Sequence, residues 1–399
     1  MDFAFSDENI QYREAAREFG ARYILPHVHE WDVQQRFTTP IHKQLGEAGF
    51  LGLCVPEEYG GLGASYMTYA LVVEEINRAD TSVRTIMSVH NSLMASTLNE
   101  WATPEQKRRW LPGMATGELM GCFGLTEPNA GSWAVNQQTR AVDKGDHLVI
   151  NGQKVWISCG DTADIALCFA TIDPKLGHKG IFAFVAEKAS MPGFVAGKAE
   201  PKMGCRAAHA TSLIFTDCIV PKANVIGEIG DGFNIAMAAL DHGRFSVASG
   251  SVGVAQACVD HARDYALERI TYDVPIAQHQ AIKLMMGEMV VDTEAARLLC
   301  LRAGYLKDQH VRSTRETCIA KYFATEVANR NAYKAVQIFG GNGYSAEYDV
   351  ERYYRDARVL TIYEGTSEIQ RMLIADYEFG YRKDKATPAL ALKEPALVA

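Results

Sequence analysis

The sequence predicts a mainly α-helical chain with a small β domain at its centre, and three observations carry that prediction. Apolar residues recur at helical spacing through about the first 120 residues and again from about residue 231, whereas the stretch between breaks into short β-type runs. At 399 residues the chain exceeds the size at which one hydrophobic core usually stops growing, so two or three packed regions are expected. A hydrophobic content of 48% is ample to fill them.

Residues 1–120 read as a first, helical domain. Its clearest start signal is TPEQKRRWL, with Thr103 as N-cap, Pro104 at the first helical position and Gln106 in the capping-box place. Residues 121–230 read as a small sheet or barrel, because HLVINGQKVWIS, DIALCFAT, GIFAFVAE and TSLIFTDCIV are separated by Gly, Asp and Pro signals. Residues 231–382 read as a four-helix-type bundle of long helices, in which STRETCIAKYFATEVANRNAYKAVQIFGGNG ends in a glycine-rich stop, and 383–399 as a loosely ordered tail.

The charge balance excludes some functions. A formal net charge of −8 offers no basic field for nucleic acid or an anionic membrane surface, so an anionic ligand has to be held by a local pocket. Nine cysteines, odd in number and without short paired spacings, argue against a disulfide framework and a zinc site; they read as reduced core residues, and no metal is expected. No run of about 18 apolar residues predicts a membrane span. The acidic opening MDFAFSDENIQYREAAREF lacks the features of a targeting presequence, which makes a cytoplasmic location the expectation.

Four segments carry candidate chemistry. CFGLTEPNAGS (122–132) is a loop whose small residues permit close backbone approach to a ligand, though it is neither a Walker nor a Rossmann fingerprint. In KVWIS, strand alternation puts Trp156 and Ser158 on one face, which suits a planar heteroaromatic ligand and equally suits a half-buried Trp beside a surface Ser. QIFGGNGY is accounted for by a helix C-cap and a turn. In TIYEGTSEIQR, Glu364 taken alone is a first-turn acid complementing a helix dipole.

The order and combination of VPEEYGGLGAS, CFGLTEPNAGS, NGQKVWIS, GFNIAMAALDHGR, YALERITYDVPIAQHQAI, AVQIFGGNGY and YRDARVLTIYEGTSEIQR resemble the acyl-CoA dehydrogenase family over about residues 1–382. The resemblance implies a fold of helical, β-barrel and helical domains, a tightly held FAD, usually a homotetramer, and electron-transfer flavoprotein as acceptor. It implies that Glu364 is the base that takes the α-proton of an acyl-CoA thioester, with Gly365 allowing the backbone to approach the thioester carbonyl and the β-hydride passing to flavin N5. It assigns Phe123, Leu125, Thr126, Ser132, Trp156, Ser158, Thr366 and Glu368 to the flavin. Arg269, Gln280, Gln337 and Gly341 go to the FAD pyrophosphate and adenosine of a neighbouring subunit; Phe233, Asp241 and Arg244, with Ser132 and Gly365, go to the substrate. Some branches carry the base just before the arginine of the long helix, where this chain has Gly243.

Three residues depart from the family pattern: Trp133 after GS where Asp is usual, Cys159 after Ser158 where Asn is common, and Tyr272 where Phe is usual. In NRADTSVRTIMSVHNSL, Arg84 stands where glutaryl-CoA dehydrogenases carry an Arg that meets the distal carboxylate of the substrate, whereas the Glu that decarboxylating members place seven residues earlier is Asn77 here. A second carboxylate on the substrate, glutaryl-like or a substituted succinyl, is one expectation; pairing of Arg84 with Asp80, or its exposure to solvent, is the other. An oxidase that passes electrons to oxygen, or a non-catalytic scaffold on the same fold, are the competing functions.

Overall fold

Helices occupy the chain up to Thr116 and again from Gly232, with all but a short hairpin of its strands lying between. The structure is a computed structural model that describes residues 4–382, so the tail expected at 383–399 lies outside the described residues. The predicted capping box is present at Pro104–Thr116. Thr103 Oγ1 accepts from the Gln106 N–H at 3.3 Å, Gln106 Oε1 accepts from the Thr103 N–H at 2.9 Å, and Gln106 Nε2 reaches on to the Val225 carbonyl at 2.7 Å, tying the helix to the sheet.

The middle region holds β1 (Gly121–Gly124), β2 (Arg140–Asp143), β3 (His147–Ser158), β4 (Ile165–Thr171), β5 (Ile181–Glu187), β6 (Phe194–Ala196), β7 (Ala210–Pro221) and β8 (Val225–Ile226) in one sheet. The strand order is β6-β7-β3-β2-β4-β5-β8, with β1 parallel to β4. This corrects the barrel implied by the family resemblance, because the sheet is open. Its edge strands β6 and β8 have three and two residues and do not pair, and β2 meets β4 at the single pair Arg140–Thr171. The two halves instead fold over a shared core in which the rings of Phe184 (β5) and Phe215 (β7) lie 5.8 Å apart.

The first and last helical regions do not keep separate cores. Phe19, Trp31, Phe50 and Ile76 pack in one cluster with Phe245, Val252, Ala303 and Val327. One of their crossings is made by glycine. A Cβ on Gly253 of the 37-residue helix Gly232–Glu268 would lie 2.1 Å from the Glu74 carbonyl oxygen of helix Tyr66–Ala79, so that crossing admits no side chain. All nine cysteines are free, and eight of them are buried.

Candidate active site

Glu364 sits in a six-residue turn between helix Val350–Leu360 and helix Ser367–Glu378, the second of which Thr366 caps by accepting from the Ile369 N–H at 3.3 Å. Glu364 and Gly365 are both left-handed, with φ of 57° and 86°. A bulky non-glycine residue in that region is strained and persists only where its surroundings over-determine it. Four bonds from three side chains do so. The Glu364 carbonyl accepts from Arg244 Nε at 3.4 Å and from Gln370 Nε2 at 3.1 Å; the Gly365 carbonyl accepts from the same Gln370 nitrogen at 3.0 Å and from Lys321 Nζ at 2.8 Å. The Glu364 N–H donates to nothing among the described residues, leaving a free donor beside its own carboxylate.

That carboxylate is the opposite of its backbone: Oε2 is buried and has no hydrogen-bond partner. A vacancy at Gly243 makes its room. A Cβ there would fall 2.5 Å from Glu364 Oε2 and 2.7 Å from Leu93 Cδ2. Leu93 belongs to a π-helical stretch, Val89–Ala95, inside a continuous helical run from Thr81 to Trp101; His90 Nδ1 of the same stretch accepts from the Gly121 N–H at 3.1 Å, anchoring it to β1. Burial disfavours the ionised carboxylate and pushes its pKa up to about 7, against the opposing pull of Arg244, Lys321 and Arg84. A carboxylate poised near neutrality, with Oε2 unbonded, is suited to accept a proton.

Arg84, on the same helical run, is 1% exposed. Its Nη2 donates to the Tyr363 hydroxyl, its guanidinium carbon lies 5.6 Å from that ring centroid, and its Nε has no partner. Asp80 is occupied elsewhere, accepting from the Val83 N–H at 2.8 Å and from Arg352 at 3.1 Å. Neither pairing with Asp80 nor exposure to solvent therefore describes Arg84. Asn77 donates to the Gly250 carbonyl at 2.6 Å and leaves its own Oδ1 unpartnered.

On the sheet side, Phe123 ends up partly buried in β1, 5.3 Å from the Phe169 ring, and Leu125 is buried. The Thr126 carbonyl accepts from the Val155 N–H at 2.8 Å. Trp156 has φ of 63° and lies where β3 slips register against β7, between Lys154 and Ile157. Trp156, 62% exposed, and Ser158 share the outward face with Ile157 turned inward between them, as alternation expects; what the bulge breaks is the phase relative to buried Lys154, which would otherwise have put Trp156 inside. Ser132 and Trp133 are exposed in the neighbouring loop. Cys159 is buried with φ of 60° and Tyr272 is 92% exposed.

Sequence reasoning missed what lies beneath this loop. Lys154, wholly buried, donates to Glu127 Oε1 at 2.6 Å and Gln137 Oε1 at 2.5 Å, and Glu127 also accepts from the Gln138 and Thr139 N–H groups at 2.6 and 3.1 Å.

Phe233, Asp241 and Arg244 share the first turns of helix Gly232–Glu268 with Gly243, and Asp241 pairs with Lys307 at 2.6 Å. Glu368 is exposed in the first turn after Thr366. The remaining candidates form a separate group. Arg269 ends one helix, Gln280 opens the next, and Gln337 and Gly341 flank the end of the third; Tyr265 stacked on Phe339 at 4.0 Å and Asn342 bonded to Tyr265 at 2.9 Å hold these ends together. All four are exposed, and Arg269 makes no ion pair among the described residues. Gly340 caps its helix at φ 61° and Gly343 is forced by the Val336 carbonyl, 2.4 Å from its would-be Cβ, but Gly341 borders open space, so a cap and turn do not account for every glycine here.

This fold recurs in known proteins. Models of the acyl-CoA dehydrogenase N-terminal, middle and C-terminal domains match residues 6–118, 122–218 and 230–378. A short-chain specific acyl-CoA dehydrogenase of Clostridium acetobutylicum is 43% identical over 94% of this chain and 99% of its own length. Two solved structures each superpose with a TM-score of 0.93. One, described as electron transferring flavoprotein of Acidaminococcus fermentans, is 41% identical over 95% of this chain and 99% of that one; the other, a glutaryl-coenzyme A dehydrogenase in complex with glutaryl-CoA, is 36% identical over 97% and 99%. The chain belongs to the acyl-CoA dehydrogenase family. It is an oxidoreductase of the acyl-CoA dehydrogenase type, and its cofactor is FAD. The outward indole at the β3 bulge, the free Arg269 and the uncrowded Gly341 fit a large aromatic and anionic cofactor. Among the described residues no helix is long and apolar enough to cross a membrane.

Proposed function

We propose that Glu364 is the base of an α,β-dehydrogenation of an acyl-CoA thioester to the 2-enoyl-CoA, and the observation that carries this is its carboxylate oxygen Oε2, buried and unpartnered against Gly243. Ionised near neutral pH, it takes the α-proton onto Oε2 or its twin. The unspent N–H of the same residue is a donor for the thioester oxygen as negative charge develops there, and the bonds from Arg244, Gln370 and Lys321 to the turn carbonyls keep that donor pre-aimed. Bound FAD supplies the hydride acceptor. Trp156, Ser158, Phe123, Leu125, Thr126, Ser132, Thr366 and Glu368 would hold its flavin; Arg269, Gln280, Gln337 and Gly341 would hold the pyrophosphate and adenosine across a subunit boundary of a homotetramer. Phe233, Asp241 and Arg244 would line the coenzyme A path. Likeness to the Acidaminococcus structure supports electron-transfer flavoprotein as the acceptor. Glu364→Gln tests the base: FAD content and acyl-CoA binding stay at wild-type levels while the rate of anaerobic flavin bleaching falls on the order of 10^4-fold. Near-wild-type bleaching in that variant would contradict the assignment.

For the acyl group, a buried guanidinium with an unpartnered Nε next to the base favours a substrate carrying a second carboxylate. With Asn77 in place of an acid, that substrate is oxidised without loss of CO2. A plain short acyl chain is the second reading, favoured by the name of the Clostridium relative. kcat/KM for glutaryl-CoA, a substituted succinyl-CoA, butyryl-CoA and a cyclic acyl-CoA separates them. In the first reading the dicarboxylic thioesters win with wild type, and Arg84→Met moves preference toward butyryl-CoA by about 10- to 100-fold. Neutral thioesters winning with wild type, unchanged by Arg84→Met, would make Arg84 structural.

A further inference from the structure

One buried cation at the site has no task in the reading above beyond holding a carbonyl. Lys321 lies in the interior of helix Thr314–Phe339 with no exposed surface, and no carboxylate comes within 4.0 Å of it among the described residues. An ammonium has three donors and is strongly hydrated in water, so an interior position without an ion pair is costly unless the site uses its charge. Its hydrogen bond goes to the Gly365 carbonyl at 2.8 Å, on the residue after Glu364. The charged and titratable groups facing it are Glu364 on the turn, Arg244 on helix Gly232–Glu268, and Glu326 and Cys318 on its own helix. Glu326 is already engaged, accepting from Ser367 Oγ at 2.6 Å. Glu364 is faced by Arg244, Lys321 and Arg84, from three different helices.

We propose that Lys321 is a positioning residue for the base: from behind the turn its ammonium clamps the Gly365 carbonyl, aiming the Glu364 carboxylate at the space above Gly243, and supplies part of the positive charge facing that carboxylate. The inference rests on Glu364 being the base. Burial draws the Lys321 pKa down to about 8, which leaves it mostly charged at pH 7, where Glu364, at about 7, is half protonated. Removing the charge leaves Glu364 facing only the two arginines, so its protonated form gains ground. The base is then scarcer at neutral pH and restored at higher pH.

The test is the pH profile of kcat for the FAD-loaded enzyme, wild type against Lys321→Met, Lys321→Gln and Lys321→Arg, with FAD content and KM recorded alongside. In Lys321→Met the ascending limb moves up by about one pH unit, costing about tenfold in kcat on the acid side, where the rate falls tenfold per unit, and progressively less toward alkaline pH. Lys321→Gln, which keeps a donor for the Gly365 carbonyl, shifts the same limb with less loss at its plateau. Lys321→Arg, which keeps the charge, leaves the limb at the wild-type position. KM for acyl-CoA stays within about threefold in all three, because Lys321 acts on the base through the Gly365 carbonyl and not on the substrate. A limb that stays at the wild-type position in both Lys321→Met and Lys321→Gln, whether kcat is unchanged or reduced equally at every pH, overturns the proposal. If Lys321→Met fails to fold, Lys321→Gln against Lys321→Arg decides the same point. Failure of the base reading shows separately, as flavin bleaching that survives Glu364→Gln.

Discussion

Glu127 and Glu364 each face a buried lysine, and the fold treats them in opposite ways. Glu127, beneath the loop that follows β1, touches its lysine: Lys154 Nζ lies 2.6 Å away, and two backbone N–H groups complete the carboxylate. Burial opposes ionisation of Glu127, but Lys154 together with the bonds from Thr139 and Gln138 outweighs it and holds the pKa below the ordinary carboxylate value. Glu364 faces Lys321 without touching it, since that ammonium is spent on a neighbouring carbonyl, and burial prevails, lifting the pKa to about 7. Direct contact closes a carboxylate into structure, whereas charge held one residue away leaves it ionisable and free to act.

The comparison breaks first where the closed pair is opened. Lys154→Met leaves Glu127 buried without its cation, and stability falls by about 3–5 kcal/mol, read as a lowered urea midpoint. Lys154→Met with Glu127→Gln recovers most of that loss, because no uncompensated charge remains and the amide oxygen keeps an acceptor for the backbone N–H groups. A single variant as stable as wild type would mean that the pair is not the closed unit its geometry describes.

A smaller effect is expected at the open carboxylate when its space is filled. Gly243→Ala puts a methyl 2.5 Å from Glu364 Oε2, so the side chain has to move. Flavin bleaching slows by about 100-fold while FAD content holds, as expected for a base displaced by about 1 Å. Unchanged bleaching would show that the carboxylate does not work from this position.

The smallest effect is one of stability and has a definite sign. The folded-state pKa of Glu364, about 7, is raised above its unfolded value of 4.5, so folding takes up a proton between them. Its contribution is most favourable below pH 4.5 and is lost as pH rises through about 7. Glu364→Gln removes that dependence: its Tm exceeds that of wild type by a few degrees at pH 8, and the excess shrinks as pH falls toward 5. An excess that is constant with pH would remove the ionisation cost assigned to Glu364.

Much of this architecture is legible in the sequence, since helical spacing and strand runs mark the elements and the capping box at Thr103 forms as its residues dictate. The lysines were legible in principle. Lys154 continues the inward face of β3 after Leu148 and Ile150, and Lys321 sits in the buried stripe of Thr317, Ala324 and Ala328; a charge inside an apolar period is a signal of a buried partner. What they pair with is not local. Glu364 reaches Gly243 across 121 positions, a distance no periodicity reports, and only the crossing of the long helix with the turn creates the space. The bulge that sets Trp156 and Ser158 on the face opposite Lys154 was not legible, and neither was the open sheet, because hydrogen-bond register between strands far apart in sequence is set by packing.

The central claim is that Glu364 is an open base whose ionisation governs the chemistry. Its most direct test is anaerobic stopped flow of the FAD-loaded wild type at subsaturating acyl-CoA from about pH 5 to 9, where the second-order rate of flavin bleaching reports the free enzyme. That rate rises tenfold per unit on the acid side and levels off through an apparent pKa of about 7, a step that is absent in Glu364→Gln. A rate independent of pH across that range, or the same step persisting in Glu364→Gln, would contradict it.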